Sequence, residues 1–342
     1  MDRICSKEKK ASIAVYVPAE SDFVLKNSLV TAWPGDAGEA VLEGCFPAQS
    51  VWAEVGKRLI RKRSAVLGLL LIVLLCLMAV FGPEMNRYTY SEQNLNRKNL
   101  APGVQILEKT RIINEEETPE IKYWFGSDGF GRDIWTRTWV GTRISLMIAL
   151  SAAMINMVIG ISYGMISGYF GGRTDMLMQR FLEIVHGIPR LVVITLLLLV
   201  MRPGMMTIIL ALVLTEWMGM SRVVRAEVLR VKEQEFILAS RTLGAGSIRI
   251  MVREILPNSL GPILTQVMLS VPAAIFTEAF LSFAGLGIPA PQCSLGSLIF
   301  DGFNCFTLYP YQIIPPAAVM VMLMLGFYLT ADALREVLSL KR

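Results

Sequence analysis

From Ser64 to Pro83 the chain runs for twenty residues without a charge (SAVLGLLLIVLLCLMAVFGP). A spanning helix needs about 20 apolar residues to cross the hydrocarbon of a bilayer. Ile144–Phe170 is a second charge-free run; Met176–Met201 is a third segment, polar in its first half and wholly apolar over Leu191–Val200; and further apolar stretches cover Met205–Ser221, Ser259–Phe283 and Ile313–Thr330. Charged residues make up 18% of the chain, hydrophobic ones 54%, and the mean hydropathy is +0.51. A soluble globular chain carries about a quarter charged residues. The expectation is an all-α polytopic membrane protein with six spans.

Basic residues are retained on the cytoplasmic side of a membrane, so they set the orientation. Lys57, Arg58, Arg61, Lys62 and Arg63 cluster in the amphipathic leader VWAEVGKRLIRKRS, immediately before the first run. Between Ser221 and Pro257 stand Arg222, Arg225, Arg230, Lys232, Arg241, Arg249 and Arg253 against four acidic residues. Arg335, Lys341 and Arg342 end the chain, whereas Ala284–Tyr311 holds Asp301 and neither lysine nor arginine. Six spans with both termini inside satisfy this asymmetry. Residues 1–50, with a β-like run at Ile13–Val17, read as a flexible cytoplasmic extension. Residues 51–83 are leader and first span, and 84–139, with the Glu115–Glu117 run, an extracytoplasmic segment. Residues 140–342 are a five-helix core containing the polar loop 233–257. The net charge of +5 fits anionic lipid at the membrane surface and gives no case for nucleic acid.

Several features invite a chemical reading. FGSDGFGRDIWTR brings Gly126, Asp128, Gly131, Arg132, Asp133 and Arg137 close in sequence. The charges are spaced to pair with one another, which fits a self-capping turn that leads into the next helix, with direct substrate contact as the alternative. Gly160, Gly164 and Gly168 recur every fourth residue, which lets two helices approach closely. Arg180 and Glu183 are spaced to pair on one helix face, and Pro189 should kink the third span. Pro262 and Pro272 should break the fifth. The lone His186 reads as a hydrogen-bonded structural group near the interface. Glu216 and Glu278 are candidates for lining a path, Glu278 with the stronger claim to a buried structural role. Five scattered cysteines contain no C-x-x-C; Cys293 and Cys305 fit either a pair or two free thiols. One histidine makes a metal or histidine-based site improbable. No inverted repeat favours a secondary transporter.

Glu235–Pro262 (EFILASRTLGAGSIRIMVREILPNSLGP) is the polar segment between the fourth and fifth spans. Phe236, Ala239, Leu243 and Ile250 fall at helical spacing on one face. Ala239 and Ser240 are small enough for another surface to pack closely. Gly244 stands where a helix should close in a left-handed turn. A second short helix, Ser247–Ile255, then leads to Pro257, which the first turn of the next helix tolerates.

This segment resembles the EAA loop of ABC importer permeases, with Ala239, Ser240, Gly244, Leu256 and Pro257 in its positions. The order of further motifs resembles the C-type permease subunit of the oligopeptide/dipeptide/nickel group: WFGSDGFGRDIWTRTWVGTRISL, EAFLSFAGLGIPAP, DALREVL and the leader WAEVGKRLIRKRSAVLGL. The likeness covers roughly residues 51–342. It implies a type I ABC importer fold of the MetI-like kind. It further implies a second, B-type permease, two ATPase subunits holding ATP and Mg, and an extracytoplasmic solute-binding protein. The cargo it implies is peptide, with nickel or another small solute as the alternative. The chain contains no G-x-x-x-x-G-K-[ST], the loop by which a Walker-type ATPase cradles phosphates, so no cofactor and no catalysis are expected of it. Glu235, Phe236, Ala239, Ser240, Leu243, Gly244, Ala245, Leu256 and Pro257 are the implied coupling residues. Four positions depart from the pattern. Leu238 replaces the loop's acid, Glu254 a histidine, Leu295 a tryptophan on what should be an outer surface, and Tyr328 an asparagine.

Overall fold

The computed structural model describes residues 51–103, 105–106 and 121–339. Ile13–Val17 and Glu115–Glu117 lie outside them. Helix α1 (Val51–Arg61) forms a separate unit with Arg58 and Arg61 in its last turn. The second unit contains the apolar helices: α2 (Arg63–Phe81), α3 (Ile134–Phe170), α4 (Gly172–Gly187), α5 (Arg190–Val200) and α6 (Met205–Val231). They are followed by α7 (Glu235–Thr242), α8 (Ser247–Arg249), α9 (Leu256–Phe283), α10 (Leu295–Asn304) and α11 (Ile314–Ser339). Two-residue strands β1 (Gln105–Ile106) and β2 (Ile121–Lys122) pair antiparallel in the segment before α3. Among the described residues, five helices are long and apolar enough to cross a membrane, and α4 with α5 makes a sixth span if that bent pair is one crossing.

Three boundaries differ from the sequence expectation, each for a local reason. α3 starts at Ile134, ahead of the apolar run, because the Asp133 side chain accepts the Thr136 N–H at 2.9 Å and caps the helix. A capped end satisfies donors that polar residues would otherwise leave open. Pro189 does more than kink its span: α4 and α5 are separate helices bent by 75°. Pro262 and Pro272, by contrast, do not break α9. Each removes one backbone hydrogen bond, and the buried side chains of Ile263, Val271 and Ala274 hold the helix through them.

The glycine series on α3 lies directly against α6. A Cβ at Gly160 would fall 2.5 Å from Met220 Cγ, at Gly164 2.6 Å from the Ser221 carbonyl oxygen, and at Gly168 2.8 Å from Val228 Cβ. Three successive turns therefore make backbone-level contact. α2 and α11 repeat the device: a Cβ on Gly68 would meet the Gly326 carbonyl at 2.8 Å, and one on Gly326 the Gly68 carbonyl at 3.2 Å. Lys62 pairs with Glu336 at the same end of these two helices. The bundle has two apolar centres. One gathers Ile148, Ile208, Leu212, Ile275, Leu295 and Leu323. The other joins α3 and α6 to the 235–257 loop through Val224, Val228, Ile237, Ile250 and Ile255.

Candidate functional site

The loop is a rigid bracket. Its base is set by Ile237, Ile250 and Ile255, all with 0% exposure, packed on Met165, Val224 and Val228. Arg225 grips Asp175 with two bonds of 2.6 Å, and Lys232 Nζ donates to the Gly168 carbonyl at 2.9 Å. The Arg241 guanidinium lies 5.0 Å over the Tyr169 ring. These contacts fix the loop to the ends of α3, α4 and α6.

α7 closes in a Schellman turn. Ala245 N–H donates to the Ser240 carbonyl and Gly244 N–H to the Arg241 carbonyl, both at 3.0 Å, with Gly244 at φ +82°. These bonds satisfy carbonyls that the helix end would leave open. Nothing lies within 4 Å of a Cβ built on Gly244, so the glycine answers a backbone requirement and no steric one. The chain then runs without interruption from Ser247 to Phe283, so Ser247–Ile255 is not a separate helix. Ile250–Ile255 forms a π turn, with Leu256 N–H reaching back to the Met251 carbonyl. π turns are single-turn bulges inside α-helices, and this one carries the helix to Pro257, which has no N–H to donate.

The face expected from spacing is divided. Ile250 is buried and Phe236 partly buried, whereas Ala239 and Leu243 are exposed, Leu243 at 79%. An eight-residue helix is too short for periodicity to choose between Phe236 and Ile237, and the structure turns Ile237 inward. Outside lie Leu238, Leu243, Ile248 and Val252, four large apolar side chains that are each half or more exposed. Glu235 and Pro257 are exposed as well, Ser240 is intermediate, and Ala245 and Leu256 pack partly onto the base.

At the other end of the bundle the FGSDGFGRD turn is built from within. Asp128 accepts Phe130 and Arg132 N–H at 2.9 Å each and the Arg132 Nε at 2.6 Å, with Arg137 at 3.5 Å. Asp133 pairs with neither arginine. It accepts from Asn86 Nδ2 at 2.9 Å and from the Thr136 hydroxyl at 2.6 Å, and burial pushes its carboxyl up against the pull of these bonds. The second acid for the arginines is Asp301 of α10, 3.9 Å from Arg132 and 3.7 Å from Arg137. It lies too far along the chain for sequence spacing to find. Gly126 and Gly131 have φ of +82° and +73°, and a Cβ on either would strike the Leu100 or Asn94 carbonyl. The turn is thus jammed beneath residues 94–100. Cys293, which donates to the Arg137 carbonyl, and Cys305 are both free thiols, and burial pushes the Cys293 thiol up.

The two path candidates part company. Glu278 is fully buried, accepts Ser282 Oγ at 2.9 Å and Ser145 Oγ at 3.2 Å, and through Ser145 reaches the Leu295 N–H. It joins α3, α9 and α10 and is inaccessible among the described residues. Leu295 is likewise core, with 0% exposure, and forms no outer surface. Glu278→Ala strands two buried hydroxyls, at about 1–3 kcal/mol for each unsatisfied group. A lower unfolding temperature in detergent is expected, with Glu278→Gln, which keeps an acceptor oxygen and the side-chain shape, avoiding most of the loss. Glu216 instead sits 3.7 Å from Arg190 Nη1 and accepts the Thr277 hydroxyl at 3.3 Å. Arg180 and Glu183 pair at 2.9 Å. His186 is exposed, and its imidazole makes no hydrogen bond among the described residues, contrary to expectation, because the 75° bend ends α4 just beyond it.

Comparison with known proteins agrees with this architecture. Residues 160–342 match the family described as binding-protein-dependent transport system inner membrane component. Residues 50–102 match the N-terminal TM domain of oligopeptide transport permease C. The chain is 43% identical over 292 residues to the oligopeptide transport system permease protein OppC of Bacillus subtilis, covering 85% of this chain and 90% of that protein. It is 40% identical over 296 residues to the dipeptide transport system permease protein DppC of the same organism, covering 86% and 87%. A solved structure of the MetNI methionine ABC transporter in inward-facing conformations aligns at a TM-score of 0.49 and 18% identity, over 58% of this chain and 94% of that one. The chain belongs to the binding-protein-dependent transport system inner membrane components, as a multi-pass inner-membrane ABC importer permease.

Proposed function

We propose that this chain forms half of a translocation path for peptides, and that separate ATPase subunits drive it through the 235–257 loop. The observation that carries the reading is the bracket itself: an apolar outer face (Leu238, Leu243, Ile248, Val252) on a base locked into α3 and α6. An exposed apolar patch of this kind marks a protein contact, and a locked base passes displacement on to the spans. Leu238, in place of the usual acid, makes that contact apolar. Names of relatives, oligopeptide and dipeptide permeases, support peptide as cargo over nickel or another small solute.

The partners are a B-type permease as the other half of the path, two ATPase subunits holding ATP and Mg, an extracytoplasmic binding protein, and lipid. This chain holds no cofactor and carries out no catalysis. Both termini and the loop face the cytoplasm, with residues 1–50 a cytoplasmic extension. Residues 84–139 face outward, and 140–342 form the five-helix core. ATP binding closes the ATPase pair, moves the loop, and shifts the spans between two states.

Ala239 is exposed on α7, so Ala239→Trp adds bulk without disturbing the fold. Co-purification of the ATPase subunits is expected to fall at least tenfold while the permease keeps its unfolding temperature. Full-strength recovery of the complex would sink the docking role.

A further inference from the structure

Arg190 begins α5 immediately after the break at Ile188 and Pro189. Its side chain is 49% exposed, and its one partner among the described residues is Glu216 at 3.7 Å, longer than a hydrogen bond. Depth makes this unusual. Arg190 lies ten residues from Val200, about 15 Å at ~1.5 Å per residue. Glu216 lies eleven residues into α6 from Met205, about 16 Å by the same rise. Measured along their helices from the turn that joins α5 to α6, both lie about half the ~30 Å thickness of a hydrocarbon layer from that end. An arginine at that depth faces a water-filled cavity or a partner, because lipid cannot solvate it.

A second observation points the same way. Residues 186–192, which contain the break, are all exposed. Interrupted helix at membrane depth is tolerated only where protein covers it or a water-filled cavity runs beside it. Beside Thr277 on α9, Phe276 and Phe280 are exposed at 57% and 47%. The face thus combines a half-free guanidinium, a carboxylate, a hydroxyl and two aromatic rings.

We infer that Arg190, positioned by Glu216 and assisted by Thr277, is a mid-membrane station for the free carboxylate of a peptide in transit. The inference rests on the peptide reading above. Peptides differ in every side chain and share their backbone and termini, so a tolerant path can use a fixed charge only on a terminus. A guanidinium offers a carboxylate two parallel N–H bonds. Its 3.7 Å separation from Glu216 leaves those donors available, while the carboxylate offsets the cost of keeping the cation at depth. Phe276 and Phe280 take apolar side chains without selecting among them.

The test uses the complete complex in liposomes, with its binding protein saturated by a tripeptide as free acid or as C-terminal amide. Wild type is expected to carry the acid faster than the amide. Arg190→Gln should cut acid uptake about tenfold and leave amide uptake unchanged, and Arg190→Lys should restore part of the acid uptake. Equal loss for both peptides, or no loss for either, overturns the station. So does failure of the Arg190→Gln chain to retain the second permease on purification, which would place Arg190 in the contact between permeases. A wild-type complex that carries neither peptide overturns the peptide reading, and the station falls with it.

Discussion

Gly164→Leu is expected to abolish recovery of folded permease. The Cβ alone would lie 2.6 Å from the Ser221 carbonyl oxygen, 2.7 Å from Val224 Cβ and 2.9 Å from the Arg225 nitrogen. Two of these atoms are backbone and cannot rotate away. Overpacking a core ordinarily costs about 1–3 kcal/mol. Here α3 and α6 must separate, and with them go Gly160 and Gly168, which depend on the same approach. The helices also carry the base of the loop, so the damage reaches Ile237 and Ile250. Size-exclusion chromatography of detergent extracts should show the monodisperse peak reduced at least tenfold. Gly219→Leu is the control: it lies on α6, is exposed, and a Cβ there meets nothing within 4 Å. Normal recovery of Gly164→Leu would mean that the two helices do not touch at this turn.

The second large effect is expected at Gly244, and it is functional. A left-handed backbone costs a non-glycine residue roughly 1–2 kcal/mol. At φ +82° with open space around the Cβ, the whole penalty falls on the turn and none on the bundle. Gly244→Leu should therefore insert and fold, with an unfolding temperature within a few degrees of wild type. The Schellman bonds of Ala245 and Gly244 should open, so that α7 no longer keeps its angle to α9. In the reconstituted complex, substrate-stimulated ATPase activity should drop to the basal level and uptake at least tenfold. Asparagine tolerates this backbone region better than other side chains, so Gly244→Asn should keep most of the coupling. Coupling unchanged in the leucine variant would remove the glycine from the mechanism.

The sequence showed the spans and the α3 glycine series because both are repeated local patterns. Apolar length and four-residue spacing need no knowledge of the partner helix. Gly244 was legible for the same reason, as a helix stop with one physical explanation. Tertiary pairing was not legible. Asp128, Arg132, Asp133 and Arg137 seemed sufficient for one another, yet the arginines also reach Asp301 and Asp133 turns to Asn86. Nothing in spacing relates residue 137 to residue 301. Ile237 was missed because a two-turn helix lets two adjacent apolar residues compete for the inward direction. Pro262 and Pro272 looked like breaks because the cost of a proline is local, whereas the packing that outweighs it comes from other helices.

The unbroken run of α6 has a mechanical consequence. Its 27 residues make a rod about 40 Å long, attached at one end to the loop and free of interruption to the other. Glu216 divides this lever into arms of about 16 and 22 Å at that rise. A rod that tilts about a fulcrum near Glu216 swings its two ends in opposite directions, so a push of about 3 Å at Val231 returns about 2 Å of opposite travel at Met205. Under the proposed coupling, the loop end and the far end of α6 then move in antiphase, while the Glu216 carboxylate at the pivot stays almost still.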